Sequence, residues 1–323
     1  MALSYEFSIG SVRAKENTLF SDAETEQMLA FKSETELISF LRDKGYGDGN
    51  TVDEIIENSR EKMWKYIKSI APDLSIFSPF FIQNDVHNLK TVLKGIMSGR
   101  KYRELMLLPC TINHEDIISA VENRRFDKLP EWLGKPADKS YQLLAETKDS
   151  RVSDAIIDKA LLEQLLKDGK SSRSVFLEEY FNTIVFYANV KIALRGAKAG
   201  VTKYFYENAL CSCDELDREQ IMKSAMQGSE SLVKYLEKLT AYDCDRAMEI
   251  YKKSTSEFEK FIDNKLIRLA LNLCKLSSEG PEPLLGYYIG KKYERKLIVI
   301  IASGLRTKTP PDKIRERLRE IYG

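Results

Sequence analysis

Two short acidic stretches hold the side chains best suited to chemistry: Asp214-Glu215-Leu216-Asp217 and Asp243-Cys244-Asp245. Paired carboxylates on helices can hold Mg²⁺, as all-α prenyl-transfer enzymes require. The first stretch also has a simpler reading, as acids at a helix N-terminus favoured by its dipole. Cys211-Ser212-Cys213 could supply one ligand pair of a metal site, and zinc would need a second pair. The chain has only His87 and His114 to complete it, so no metal is expected. No Gly-x-x-x-x-Gly-Lys-Ser/Thr, Gly-x-Ser-x-Gly or His-Glu-x-x-His occurs, which leaves no phosphate loop, nucleophile elbow or metalloprotease helix. No catalytic residue and no cofactor are expected.

The elements that would position such residues repeat. Asn88-Leu-Lys90-Thr-Val-Leu-Lys-Gly95 and Asn189-Val-Lys191-Ile-Ala-Leu-Arg-Gly196 match in pattern. Leu89, Val92, Leu93 and Ile96 follow the i, i+3, i+4, i+7 stripe of one buried helical face. Val190, Ala193, Leu194 and Ala197 follow it too. A worn third copy places Ile298, Ile301, Ala302 and Leu305 on the stripe, with Gly304 at the matching glycine. Glycine inside a helix costs roughly 1 kcal/mol relative to alanine. Its recurrence points to a close approach by another helix at Gly95, Gly196 and Gly304. Gly99 and Gly200 read as C-terminal caps. Lys90 and Lys191 fall off the stripe and are expected to reach water.

The flanks repeat as well. A long amphipathic helix precedes each copy, beginning near Val52, Val152 and Cys244. A capped helix start follows each, with Asn113 and Asp116 as a capping pair and Pro310-Pro311 at a first turn. A period of about one hundred residues is too long for solenoid repeats of roughly 20–50. The expectation is an all-α protein of three similar helical domains: 52–150, 151–242 and 243–323. The N-terminal helices of 1–51 are the candidate that completes the third module.

Bulk properties exclude several classes. Lys plus Arg is 50 against 49 for Asp plus Glu, with signs interleaved, so nucleic acid is not an expected partner. The longest strongly apolar run, Leu297 to Ala302, falls far short of the roughly 20 residues that cross a bilayer. The N-terminus lacks the apolar core of a secretory signal. Five scattered cysteines suit reduced thiols in a cytoplasmic protein.

Three stretches together resemble the C subunit of the V/A-type ATPases, the relative of the eukaryotic V-ATPase d subunit. They are "YEFSIGSVRAKENTLF", "NDVHNLKTVLKG" and the closing "PLLGYYIGKKYERKLIVIIASGLRTKTPPDKIRERLREIYG". The resemblance runs the length of the chain. It implies three similar domains around a pseudo-threefold axis, forming a funnel. One end would sit on the membrane proteolipid ring, and the cavity would receive the foot of the central shaft. It also implies a protein that carries torque, binds no nucleotide, and meets the membrane only through the ring. Glu294 and Lys296 match the family's Glu-x-Lys. Leu297-Ile298-Val299 departs from its usual Asn-Leu-Arg, and Lys292 stands where an acid is common. Candidate interface residues are Asn88, Lys90, Asn189, Lys191, Glu294 and Lys296. The readings that compete with a rotor socket are a free-standing cytoplasmic helical adaptor and an all-α Mg²⁺ enzyme.

Overall fold

A computed structural model describes residues 4–323, and among them the chain is all helix, with no β-strand. The first three positions of the expected N-terminal segment, 1–51, lie outside the described residues. The helices run α1 (Tyr5–Glu16), α2 (Asp22–Ala30), α3 (Glu34–Asp43), α4 (Val52–Ile70), α5 (Ser78–Ser98), α6 (His114–Glu122), α7 (Glu131–Thr147) and α8 (Ser150–Ser171). They continue as α9 (Val175–Ala199), α10 (Lys203–Ala209), α11 (Arg218–Met226), α12 (Ser229–Leu236), α13 (Cys244–Lys253), α14 (Thr255–Ala270), α15 (Glu282–Arg306) and α16 (Pro311–Arg317).

Local chemistry sets these boundaries. Ser21, Ser33 and Thr51 each accept a backbone N–H of the first turn that would otherwise lack a partner, and Ser21 with Glu24 closes a full capping box. In α4, Val52, Ile55, Ser59, Met63, Ile67 and Ile70 are buried at helical spacing, so one stripe faces the core. Gly99 and Gly200 end α5 and α9 in the left-handed region, with φ of 67° and 63°. There a Cβ would crowd the following carbonyl.

One expected element differs. The amphipathic stretch from Cys244 is not a single long helix. Ser254 adopts an extended conformation, and its hydroxyl accepts from the Glu257 N–H at 3.2 Å, which starts α14 afresh. A Ser-x-x-Glu start outcompetes continuation because serine satisfies new N–H groups better than it propagates a helix.

The chain divides into two compact units. The first joins residues 4–74 to 249–323. Its core sets Phe20, Met28, Leu37 and Leu41 against Ile298, Ile301, Ala302 and Ile314, so the first helices pack on the last long one. Residues 52–74 also lie in this unit. The second holds residues 75–248. One core there gathers Leu89, Val92 and Leu93 of α5 with Ile117, Ile118 and Val121 of α6 and Leu133 and Ala137 of α7. The three copies of the repeat are the C-terminal halves of α5, α9 and α15, which are 21, 25 and 25 residues long.

Candidate functional site

The repeated asparagines are fully buried in mid-helix. The Asn88 side-chain oxygen accepts from the Leu107 N–H at 2.7 Å, and its Nδ2 donates to the Leu107 carbonyl at 3.0 Å. Asn189 does the same to Cys211, at 2.9 and 2.8 Å. In both cases the segment that leaves the helix returns alongside it, and no strand among the described residues satisfies its backbone. The amide supplies one donor and one acceptor, as a neighbouring strand would. An unsatisfied buried pair of this kind would cost several kcal/mol, on the order of 1–3 for each group.

A carboxylate one turn earlier adds a second hook. Asp85 accepts from the backbone N–H of Thr111 at 2.9 Å and of Ile112 at 3.1 Å, and from the Thr111 hydroxyl. Burial raises its pKa, and the three donors partly offset that. Glu294 stands at the same offset before Gly304 as Asp85 before Gly95. Only 4% exposed, it accepts from the Phe20 N–H and the Tyr46 hydroxyl, and from Lys291 Nζ at 2.7 Å. The Lys291 ammonium also lies 4.5 Å from the Tyr46 ring centre. A buried ion pair survives desolvation only when its remaining valences are filled, and here they are. The last long helix is thereby fastened to the N-terminal segment.

The repeated glycines admit a side chain from the segment that follows each helix. A Cβ on Gly95 would collide with Tyr102, and one on Gly304 with Ile314. On Gly196 it would lie 2.7 Å from the Tyr206 ring and hydroxyl. The approach is by a side chain just downstream, rather than by the backbone of another helix. Gly286 and Gly290 in α15 do the same for Tyr322; their Gly-x-x-x-Gly spacing is the sequence signal of that small-residue face.

The candidate interface residues therefore sort in two. Asn88, Asn189 and Glu294 are buried, so they cannot meet a partner while the fold is intact; each holds its own chain. Lys90 is not simply solvated: its Nζ lies 2.6 Å from Asp158 of α8, and one turn on, Lys94 lies 2.5 Å from Asp154. Lys191 is half-buried. Lys296 pairs with Asp263 of α14, which Arg319 also reaches at 2.8 Å.

The acidic stretches serve helix starts and surface pairs. Asp217 caps α11, accepting from Glu219 and Gln220 N–H groups at 2.9 and 3.0 Å, and Asp214 lies 3.0 Å from Lys170. Among the described residues, no three His, Cys, Asp or Glu side chains group as a metal site. Burial pushes the Cys211 and Cys244 thiols up to about 12, far from the reactive thiolate. Both histidines are spent on one segment: His87 Nε2 donates to the Leu105 carbonyl and His114 Nε2 to the Leu107 carbonyl, each at 3.1 Å. The arrangement braces helices and the segments between them.

Repeated long helices, each braced by buried polar hooks, define an all-α protein. The chain belongs to the ATP synthase (C/AC39) subunit family, whose model matches residues 8–317. It is similar to the C subunit of the A-type ATP synthase of Methanocaldococcus jannaschii, 25% identical over 97% of this chain and 86% of that one. It is 20% identical to the C subunit of the V-type sodium ATPase of Enterococcus hirae, over 96% of this chain and 97% of the relative. A shorter match, 37% of this chain and 38% of the relative, is 27% identical to the C subunit of the V-type ATP synthase of Thermus thermophilus. The family is thus that of the C subunits of the A/V-type ATPases. Among the described residues no helix is long and apolar enough to cross a membrane.

Proposed function

We propose that this chain is the non-catalytic coupling component of a V/A-type rotary ATPase, a socket between the central shaft and the membrane proteolipid ring. The observation that carries this reading is the hooking of α5, α9 and α15. Torque transmission needs a body that does not shear: directional two-point hydrogen bonds tie α5 and α9 to their return segments, and Glu294 ties α15 to Phe20 and Tyr46. In this reading three related modules surround a pseudo-threefold axis, and residues 1–51 complete the third. Phe20, Met28 and Leu37 share a core with Ile298 and Ile301, which supports that assignment. The protein resides in the cytoplasm and reaches the membrane only through the ring.

Calorimetry with purified shaft subunits, and separately with the purified ring in detergent, tests the proposal. Stoichiometric binding to both is expected. Binding to neither would leave a free-standing adaptor as the better account.

A further inference from the structure

The second unit holds a cavity of about 220 Å³ between α8, α9, the turn at 212–215 and Tyr242. That volume lies below the roughly 300 Å³ at which pockets for drug-sized ligands begin, so an occupant is small. Its walls are held by the framework. The Asn189 clamp fixes Cys211, and the Leu216 N–H donates to the Cys213 carbonyl at 3.3 Å, which closes a turn with Asp214 and Glu215 exposed at its tip. Tyr242 is left-handed, with φ 53° and ψ 27°, a conformation a bulky residue adopts only when its surroundings hold it there. The Tyr187 hydroxyl donates to the Tyr242 carbonyl at 2.6 Å, and the Tyr242 ring leans on the fully buried Phe186, with ring centres 5.0 Å apart.

The charges of this lining do not balance. Asp214 has its cation in Lys170, 3.0 Å away. Glu179, half-buried, and Glu215 have none: neither carboxylate has a hydrogen bond or ion pair among the described residues. The Asn182 side-chain amide and the Tyr242 hydroxyl, which line the same cavity, also have no hydrogen-bond partner there. Burial, then the Glu179 and Glu215 charges, push the Tyr242 hydroxyl up to about 12, so both carboxylates act on one ring. The asparagine clamp does not itself demand acids. Beside Leu107 the first return segment exposes Leu105 and Leu108 instead, at 61% and 54%.

These features select the chemistry of an occupant. A neutral molecule would cover the carboxylates without answering them. A compact metal ion needs converging ligands, and among the described residues no three carboxylate, thiol or imidazole groups converge. Two unpaired carboxylates and an aromatic face suit an extended organic cation.

We propose that this cavity binds a short aliphatic diamine, its two ammonium groups answering Glu179 and Glu215 and its methylenes lying on the Tyr242 ring. The Asn182 and Tyr242 side-chain oxygens accept N–H groups that the carboxylates leave over. Because the walls are already fixed, little ordering opposes binding.

Calorimetric titration of the full-length protein with 1,4-diaminobutane at low ionic strength tests the proposal. The comparison ligands are n-butylamine, which stands in for one lysine side chain of another protein, and Mg²⁺. One saturable site is expected, with n-butylamine about tenfold weaker or more, and with the diamine retained against Mg²⁺ at the same concentration. Glu179→Gln and Glu215→Gln should each weaken binding about ten- to one hundred-fold, the worth of one charged hydrogen bond. Neither carboxylate holds another group of the fold, so both variants should melt as wild type does. Glu104→Gln, an exposed acid in the first repeat, should bind as wild type. The Asn182 side-chain amide resonance should move as the site fills. Absence of saturable binding, or unchanged affinity in both cavity variants, overturns the site. Equal affinity for n-butylamine overturns the two-headed ligand in favour of a single lysine-like cation. An equal loss in Glu104→Gln, or displacement by Mg²⁺, overturns it in favour of diffuse attraction to acidic surface.

Discussion

Replacing Gly196 with alanine should destabilise the protein, against the helix propensity of the two residues. In a free helix the change gains about 1 kcal/mol. Here the new Cβ would lie 2.7 Å from the Tyr206 Cε1 and hydroxyl and 2.9 Å from Cζ. Carbon pairs rest at about 3.5–4.0 Å, so the ring must retreat by roughly 1 Å. Tyr206 is fully buried and has no open side to move into. Its hydroxyl already lacks a hydrogen-bond partner, so the retreat breaks no bond there and the opposition is steric. Overpacking of this kind costs about 1–3 kcal/mol. Set against the propensity gain, the net is a loss of about 1 kcal/mol, or roughly 2–4 °C in melting temperature for a unit of this size. Gly95→Ala should cost at least as much, because its new Cβ would lie 2.7 Å from Tyr102 Cβ and 2.8 Å from Cγ, the root of a side chain that moves only with its backbone. Calorimetric melting of Gly196→Ala, Tyr206→Ala and the double variant checks the reasoning: with the ring gone, alanine at 196 should become neutral or stabilising. A higher melting temperature for Gly196→Ala alone would refute the close approach.

Asn189→Leu strands the Cys211 N–H and carbonyl and should cost about 2–4 kcal/mol, with faster hydrogen exchange at the 211 amide; unaltered exchange would show that the clamp is not used in solution. Lys291→Met leaves Glu294 buried without its cation and should cost about 3 kcal/mol, and adding Glu294→Gln should return part of it; strict additivity in urea melts would count against a coupled pair. The bond from Arg306, foremost, holds the Glu34 carboxyl below its ordinary value of 4.5. The stabilisation from this pair is present above about pH 4.5 and is lost as pH falls through the lowered folded value. An NMR titration should show the Glu34 midpoint rising in Arg306→Gln, and an unmoved midpoint would dismiss the pairing. Native protein should react slowly with thiol reagents at Cys211 and Cys244, and fast labelling without denaturant would contradict their burial.

Much of the frame was legible. The stripe from Leu89 to Ile96 and its two relatives marked three helices, and α4 falls where its amphipathic period places it, from Val52 to Ile70. Caps such as Asn113 were readable because a cap is a local device, decided within three residues. What escaped was non-local. Nothing beside Asn88 says that its partner is the backbone of Leu107, so a polar residue in mid-helix looks like a helix start or an interface group. The usable signal was its recurrence at the same offset from Gly95 and Gly196, a buried side of the stripe. Glu294 was marked by the family's Glu-x-Lys, but its burial depends on Tyr46 and Phe20, far away in the chain. The break at Ser254 was legible in Ser-x-x-Glu and was overridden by the longer amphipathic period.

The asparagine clamps hold Leu107 and Cys211 through main-chain atoms, and the one side-chain contact beside them is Asn189 Nδ2 with Cys213 Sγ at 3.5 Å. The clamps therefore fix where a segment lies without restricting which side chain the held residue carries. Leu107 and Cys211 occupy matching places under that rule, one amid exposed leucines and the other beside serine and carboxylates. A mount indifferent to its cargo lets each repeat be fitted with different surface chemistry while the framework stays the same. Within one chain, repeated architecture can thus present unlike faces, and a partner that lacks the same symmetry can be met in a single orientation.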